Sequence, residues 1–207
     1  MKLSIIFDFD GVLADSFNEL YEMNKKAMEL MGEKFTQENY RDLFLGNVHD
    51  QLNKKIPQKK LKIQFDQFKN KNFSKYYKGV QLFPHAKKII NALEPKASLS
   101  IVSSTPKRLI IRLLKKQGLE KQFKTIHGSK ATSKKNELTH AVRSMKSKFE
   151  NTHFITDSVG DIKIGHELKL ITCAVAWGFN NKNQLQQQQP NYFFNKPDNI
   201  LSFFSKL

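Results

Sequence analysis

The chain has 207 residues, enough for one sizeable core or a core with a small accessory domain. Hydrophobic residues at 39% and charged residues at 26% exclude wholesale disorder, and no run nears the roughly 18 apolar residues of a membrane span. The formal net charge of +16 attracts phosphate-bearing small molecules and nucleic acid alike, so its sign does not choose between them.

Lys2 precedes a short apolar run, Leu3 to Phe7, which is closed by Asp8 and Asp10. The run is too brief and too acidic at its end for a secretory leader, and its length suits a buried parallel strand. Ser16-Phe17-Asn18-Glu19 has capping-box spacing, and Phe17, Leu20, Tyr21, Ala27, Met28 and Met31 keep helical periodicity up to Gly32. From there to about Tyr77 every pattern is helical. Thr36 to Leu45 stops at Gly46, a short segment ends near Pro57, and a lysine-rich helix carries Leu61, Phe65, Phe68 and Phe73. The run Lys54, Lys55, Lys59, Lys60 and Lys62 reads as a solvated face.

After Gly79 strands and helices alternate, which argues for βαβ units and a parallel sheet. Strands are predicted at Leu99 to Val102, Thr125 to His127, His153 to Thr156, Ile171 to Ala176 and Tyr192 to Phe194. Helices are predicted at Pro84 to Leu93, Pro106 to Gln117, Ser133 to Lys146, Val159 to Glu167 and near Asn199 to Ser205. Cys173, the single cysteine, falls in an apolar strand and reads as a buried inert thiol, so a reducing, cytoplasmic setting is expected. Gln186 to Gln189 reads as a solvated loop or helix face. The chain is therefore read as an α/β core interrupted, just after its first strand, by an all-helical insertion.

In an open parallel sheet ligands gather beyond the carboxyl ends of the strands, so the polar residues there carry the chemistry. Asp8 and Asp10 at the first strand's end bring two like charges together, an arrangement that a hard divalent cation neutralises. Asp157, after a neighbouring strand, would complete an oxygen set suited to Mg²⁺, with Asp161 four residues on. With phosphorus held there, Asp8 can attack it while Asp10 protonates the leaving oxygen and later deprotonates water. The Ser103 hydroxyl, a backbone N–H near Ser104 and the Lys134 ammonium would hold the equatorial oxygens. Taken singly, each has a plainer account: turn residues at Asp8, Asp10 and Ser103, helix caps at Asp157 and Asp161, solvated cations at Lys134 and Lys135. Their order, each after a predicted strand of one sheet, favours the joint account.

That order resembles the haloacid dehalogenase-like hydrolase superfamily, in the branch with a helical cap inserted after the first strand. Asp8-Phe9-Asp10-Gly11-Val12-Leu13-Ala14-Asp15-Ser16 resembles the first motif, Ile101 to Pro106 the second and Ile155 to Ile162 the fourth. Ala176-Trp177-Gly178-Phe179 resembles the segment that follows the next strand. The third motif's single lysine is matched by both Lys134 and Lys135, with Lys134 favoured by its spacing to Leu138 and Val142. Thr156 and His85 stand where the family commonly has Gly. The presence of Asp10 disfavours dehalogenation.

The resemblance implies a Rossmann-like parallel-sheet core with helices on both faces, residues 1–15 and 81–207, and a helical cap of residues 16–80 that closes over the site. The loop Leu45 to Asp50 is similar to the specificity loop of phosphoglycolate phosphatases and β-phosphoglucomutases, so Gly46, Asn47 and His49 are expected to meet substrate. The expected activity is Mg²⁺-dependent hydrolysis of a small phosphorylated metabolite through an aspartyl phosphate, by a monomer or homodimer. A phosphomutase using the same residues is the alternative within that chemistry. A basic nucleic-acid-binding protein without catalysis, prompted by the charge, is the alternative of another class, disfavoured because no stacking motif or nucleic-acid module is visible.

Overall fold

The structure, a computed structural model, describes residues 2–128 and 133–207, apart from the side chain of His49. Strand β1 (Leu3–Phe7) leads into the two-residue strand β2 (Ala14–Asp15), then α1 (Phe17–Glu29), α2 (Gln37–Asp42), α3 (Val48–Lys55), α4 (Lys59–Tyr76) and the two-residue strand β3 (Gln81–Leu82). Alternation follows: α5 (Ala86–Leu93), β4 (Ala97–Val102), α6 (Lys107–Lys116), β5 (Phe123–His127), α7 (Lys134–Ser144) and β6 (Thr152–Thr156). The chain ends with α8 (Val159–Glu167), β7 (Ile171–Val175), α9 (Lys182–Gln186), β8 (Tyr192–Phe194) and α10 (Pro197–Phe204).

The main sheet is parallel throughout, in the order β5-β4-β1-β6-β7-β8. The chain builds outward from β1 to β5, then returns to the other side of β1, so the strand order reverses at the sheet's centre. This is the Rossmann-like arrangement, and the reversal opens a crevice beyond the carboxyl ends of β4, β1 and β6. Alternation along β1 gives each sheet face its own core. Ile5 and Phe7 join the cluster that holds Ile89, Leu109, Ile110 and Phe204, whereas Ile6 packs with Leu138, Val142 and Phe154. Helices therefore cover both faces, as buried parallel strands require.

β2 and β3 pair antiparallel, so the points where the chain leaves and re-enters the core, around residues 15 and 81, lie side by side. Nothing in the sequence reading anticipated this ribbon, because two-residue strands have no periodicity to detect. The capping box expected at Ser16 does not form: Ser16 enters α1 at φ −124°, ψ 0° without a side-chain cap, and its hydroxyl is buried without a hydrogen-bond partner. That backbone is not the extended geometry that aims a cap side chain at the first turn. The glutamine run is solvent-facing as expected, with only Gln186 in a helix, α9, whose N-cap Asn181 and Gln184 form a reciprocal capping box. Among the described residues no helix is long and apolar enough to cross a membrane.

His153 of β6 is 5% exposed and packs against the rings of Tyr192, Phe203 and Phe204, with its Nδ1 unpartnered. Burial lowers its pKa, against a smaller opposing contribution from the Ser4 backbone. The unfolded chain therefore takes up a proton near pH 6.5 that the folded protein resists, and stability falls as pH drops through that value. Thermal melts between pH 7.5 and 5.5 should show a loss of Tm that is smaller in His153→Phe. An equal loss in both proteins would assign the pH dependence elsewhere.

Candidate active site

The three central strands each deliver acid or hydroxyl groups to the crevice. Asp8 follows β1 and its Oδ1 accepts the Phe9 N–H at 2.7 Å, which turns the carboxylate toward the next strands. Its Oδ2 lies 2.9 Å from the Lys134 Nζ. Lys134 comes from the first turn of α7, whose N-cap Ser133 accepts the Asn136 N–H, and its ammonium also donates to Asp161 Oδ2 at 2.6 Å. Lys135, the other lysine that fitted the motif, points away and pairs with Glu167 on the exposed surface.

Helix α8 is capped by Ser158, whose hydroxyl oxygen accepts the Asp161 N–H. Neither acid is therefore needed as the cap. Asp157 accepts the Phe179 N–H at 2.6 Å, while Asp161 accepts from Thr156 Oγ1 at 2.9 Å as well as from Lys134. Asp157 is enclosed by backbone: a Cβ on Gly11 or Gly178 would lie 2.0 or 2.2 Å from its Oδ2. Gly11 also has φ +77°, which favours glycine on conformational grounds.

The electrostatics follow from a buried excess of acid. Burial raises the Asp8 pKa well above the carboxylate range, Lys134 opposes the shift, and the charges of Asp161 and Asp157 add to it. Burial likewise pushes Asp157 up to about 7, against the Phe179 N–H. Burial opposes the charge of Lys134, but Asp161 and Asp8 hold it protonated above its usual range. Burial also opposes ionisation of Asp161, yet the Lys134 ammonium holds that carboxyl below its usual range. One ammonium thus serves Asp8 and Asp161, and Asp157 is left with a single backbone donor among the hydrogen bonds described.

Asp10 has a different set of partners. Its Oδ1 accepts from Tyr77 Oη at 2.7 Å, and its Oδ2 from Thr105 Oγ1 at 2.7 Å and Ser103 Oγ at 3.1 Å. These hydroxyls orient both oxygens of the carboxylate. Burial and the adjacent Asp10 raise the Tyr77 pKa well above the phenol range, so Tyr77 is the donor. Ser103 Oγ also accepts the Thr105 N–H at 2.9 Å, and Ser104 lines the crevice nearby. Tyr77 and Thr105 were missed as site residues. Thr105 could have been suspected as a third hydroxyl in the Ser103-Ser104-Thr105 run. Tyr77 could not, because a tyrosine ending an amphipathic helix reads as packing.

The crevice is a cavity of about 710 Å³ lined by the carboxylates, Ser103 and Lys134 together with residues of α1, α2 and α4. Gly46 and Asn47 line it. His49 falls in α3, with its side chain outside the described residues. The loop at Gly46 rests directly on α8: a Cβ on Gly160 would lie 2.4 Å from the Gly46 carbonyl oxygen, and Lys163 Nζ donates to Leu45 O at 3.1 Å. Arg41 of α2 donates to the carbonyls of Gly178 and Phe179 and stacks 4.1 Å over the Phe17 ring, while Asn180 Nδ2 donates back to Arg41 O.

Chemically, the cavity offers a carboxylate beside an ammonium, a second carboxylate oriented by three hydroxyls, and a third that accepts a single backbone N–H among the hydrogen bonds described. Among the described residues no three His, Cys, Asp or Glu side chains form a ready metal cage, so protein carboxylates alone would leave much of an ion's coordination to other oxygens.

Comparison with known proteins gives the chain's family. The chain is 24% identical to a phosphoglycolate phosphatase of Synechococcus elongatus, over 99% of this chain and 98% of that protein. It is 26% identical to the pyrophosphatase PpaX of Listeria innocua, over 96% and 94% of the two chains. A haloacid dehalogenase-like family hydrolase from Streptococcus pneumoniae superimposes with a TM-score of 0.86 at 20% identity, covering 98% of each chain. The family model described as haloacid dehalogenase-like hydrolase matches residues 5–175. This chain belongs to the haloacid dehalogenase-like hydrolases.

Proposed function

We propose that the chain is a Mg²⁺-dependent phosphohydrolase that cleaves small phosphate monoesters through an aspartyl phosphate on Asp8. The observation that carries this reading is the buried Asp8–Lys134 contact at 2.9 Å in a crevice that also holds Asp10 and Asp157. The ammonium stabilises the carboxylate and can accept the charge of a phosphoryl oxygen beside it. Asp8 forms a bond to phosphorus as the bond from phosphorus to the ester oxygen breaks, and Asp10 gives its proton to that leaving oxygen. Water then attacks phosphorus, Asp10 takes a proton back, and inorganic phosphate leaves with Asp8 restored. Ser103, Thr105 and Tyr77 keep the Asp10 carboxyl group in place for both transfers.

The residues fit a hard divalent ion. Asp8 and Asp157 have pKa values raised by burial and by like charge, which is the condition a cation relieves. The carboxylates of Asp8 and Asp157 would hold Mg²⁺, with Asp161 keeping Lys134 in position. The chemistry such an ion supplies when bound is shielding of the phosphoryl oxygens' charge. Residues 16–80 act as a cap, a reading supported by the β2–β3 ribbon at their root and by the loop at Gly46 resting on α8. The names of the relatives make 2-phosphoglycolate and pyrophosphate the first substrates to try.

The test is release of inorganic phosphate from a panel of small esters with Mg²⁺ and with EDTA. Turnover should fall at least about 100-fold when the ion is removed, as expected for a group that stabilises the transition state electrostatically. A panel without turnover in Mg²⁺, or with turnover indifferent to EDTA, would end this reading.

A further inference from the structure

The far wall of the cavity carries charges that the mechanism does not use. Lys62, Asp66, Lys69 and Phe73 follow one another on α4 at intervals of four, three and four residues, which places them on one helical face, and all four line the cavity. Phe65, 1% exposed, anchors the helix beside them. Lys62 and Asp66 neutralise each other through a direct ion pair. Lys69 is different: its half-buried ammonium lies 5.2 Å from the Phe65 ring centroid and has no hydrogen bond or ion pair among the described residues. Burial lowers its pKa to about 8, against the pull of Asp66, which accords with an ammonium deprived of water and lacking an anion of its own.

Such a group is costly unless an anion meets it. The same cavity is lined by Asp8, Ser103 and Lys134, the residues of the proposed phosphoryl site, and α4 reaches that site through its C-cap Tyr77, which donates to Asp10. A ligand whose phosphoryl group sits there extends its organic part toward α4.

We propose that Lys69 receives a second anionic group of the substrate, so that the site selects phosphate compounds carrying a carboxylate or a further phosphate at the non-reacting end. This rests on the phosphohydrolase reading and narrows it. The lysine-rich stretch that reads as solvated surface in the sequence is therefore divided. Lys54, Lys55, Lys59 and Lys60 are exposed, whereas Lys62 lines the cavity, as does Lys69 farther along α4.

The experiment compares matched pairs that differ in the second charge: 2-phosphoglycolate against ethyl phosphate, and pyrophosphate against methyl phosphate. In Lys69→Met the ratio of kcat/KM within a pair should fall about 10-fold to 100-fold, the worth of a hydrogen bond to a charged group, while Lys69→Arg keeps most of it. A fall confined to the first pair identifies a carboxylate and one confined to the second identifies a phosphate. An unchanged ratio in both pairs overturns the proposal. If the unaltered protein hydrolyses none of the four, the wider ester panel decides the phosphohydrolase reading. The subsite is then judged by calorimetric binding of 2-phosphoglycolate and ethyl phosphate to the unaltered protein and to Lys69→Met. A preference for the dianion-plus-carboxylate ligand that Lys69→Met removes sustains it, and equal affinities in the unaltered protein refute it.

Discussion

Asp8→Asn is expected to lower phosphate release from any accepted ester by about 10⁴-fold or more, because an amide can neither attack phosphorus nor carry it as an acyl phosphate. The fold should survive the change. Asp8 is 7% exposed, and burial disfavours its charged form, so the amide removes a buried charge while keeping the carboxyl group's shape. Its main loss is the contact with Lys134, which retains Asp161 as a partner at 2.6 Å. The comparison is phosphate release by both proteins beside their thermal melts. Residual turnover above about 1% with a native melt would exclude covalent attack by Asp8, since mutation of a nucleophile removes more than that.

Gly178→Ala is expected to cost at least about 100-fold in kcat/KM, the scale on which a misplacement of about 1 Å acts on a catalytic constellation. The added methyl would lie 2.2 Å from both Cβ and Oδ2 of Asp157, on a short side chain with little room to yield. It would either displace that carboxylate or push away the loop bearing the Phe179 N–H, which donates to Asp157 at 2.6 Å. Gly11→Ala should behave similarly, with a methyl 2.0 Å from Oδ2 and the added strain of φ +77°. The Mg²⁺ concentration needed for half-maximal turnover separates this cause from general damage, and it should rise in both variants. Either variant with unchanged turnover and unchanged Mg²⁺ demand would remove Asp157 from the proposed ion site.

The sequence revealed most where local chemistry and the final structure agree. Leu3 to Phe7 is a strand with the predicted bounds because an apolar run of that length, ended by acids, has few other uses. Val159 to Glu167 is likewise a helix over the predicted span, since Ser158 supplies its cap. Both Lys134 and Lys135 fitted the motif, and spacing to Leu138 and Val142 favoured Lys134. The three-dimensional path of α7 distinguishes them, sending one to Asp8 and the other to Glu167.

What stayed hidden depends on partners far apart in the chain. Tyr77 and Asp10 are 67 positions apart, and Arg41 reaches carbonyls 137 and 138 positions away. The charged stripe of α4 was obscured because phenylalanines at Phe65, Phe68 and Phe73 suggest the buried face, and surrounding lysines look solvated. Ser16 shows the opposite error, a local motif overridden by the tertiary path of the chain entering α1.

Tyr77 caps the carboxyl end of the same helix that carries Lys69. They are eight positions apart, a rise of about 12 Å along a helix. The helix that presents the proposed anion contact thus also presents the phenol that holds Asp10, so a substitution that shifts α4 would disturb both ends of the cavity at once.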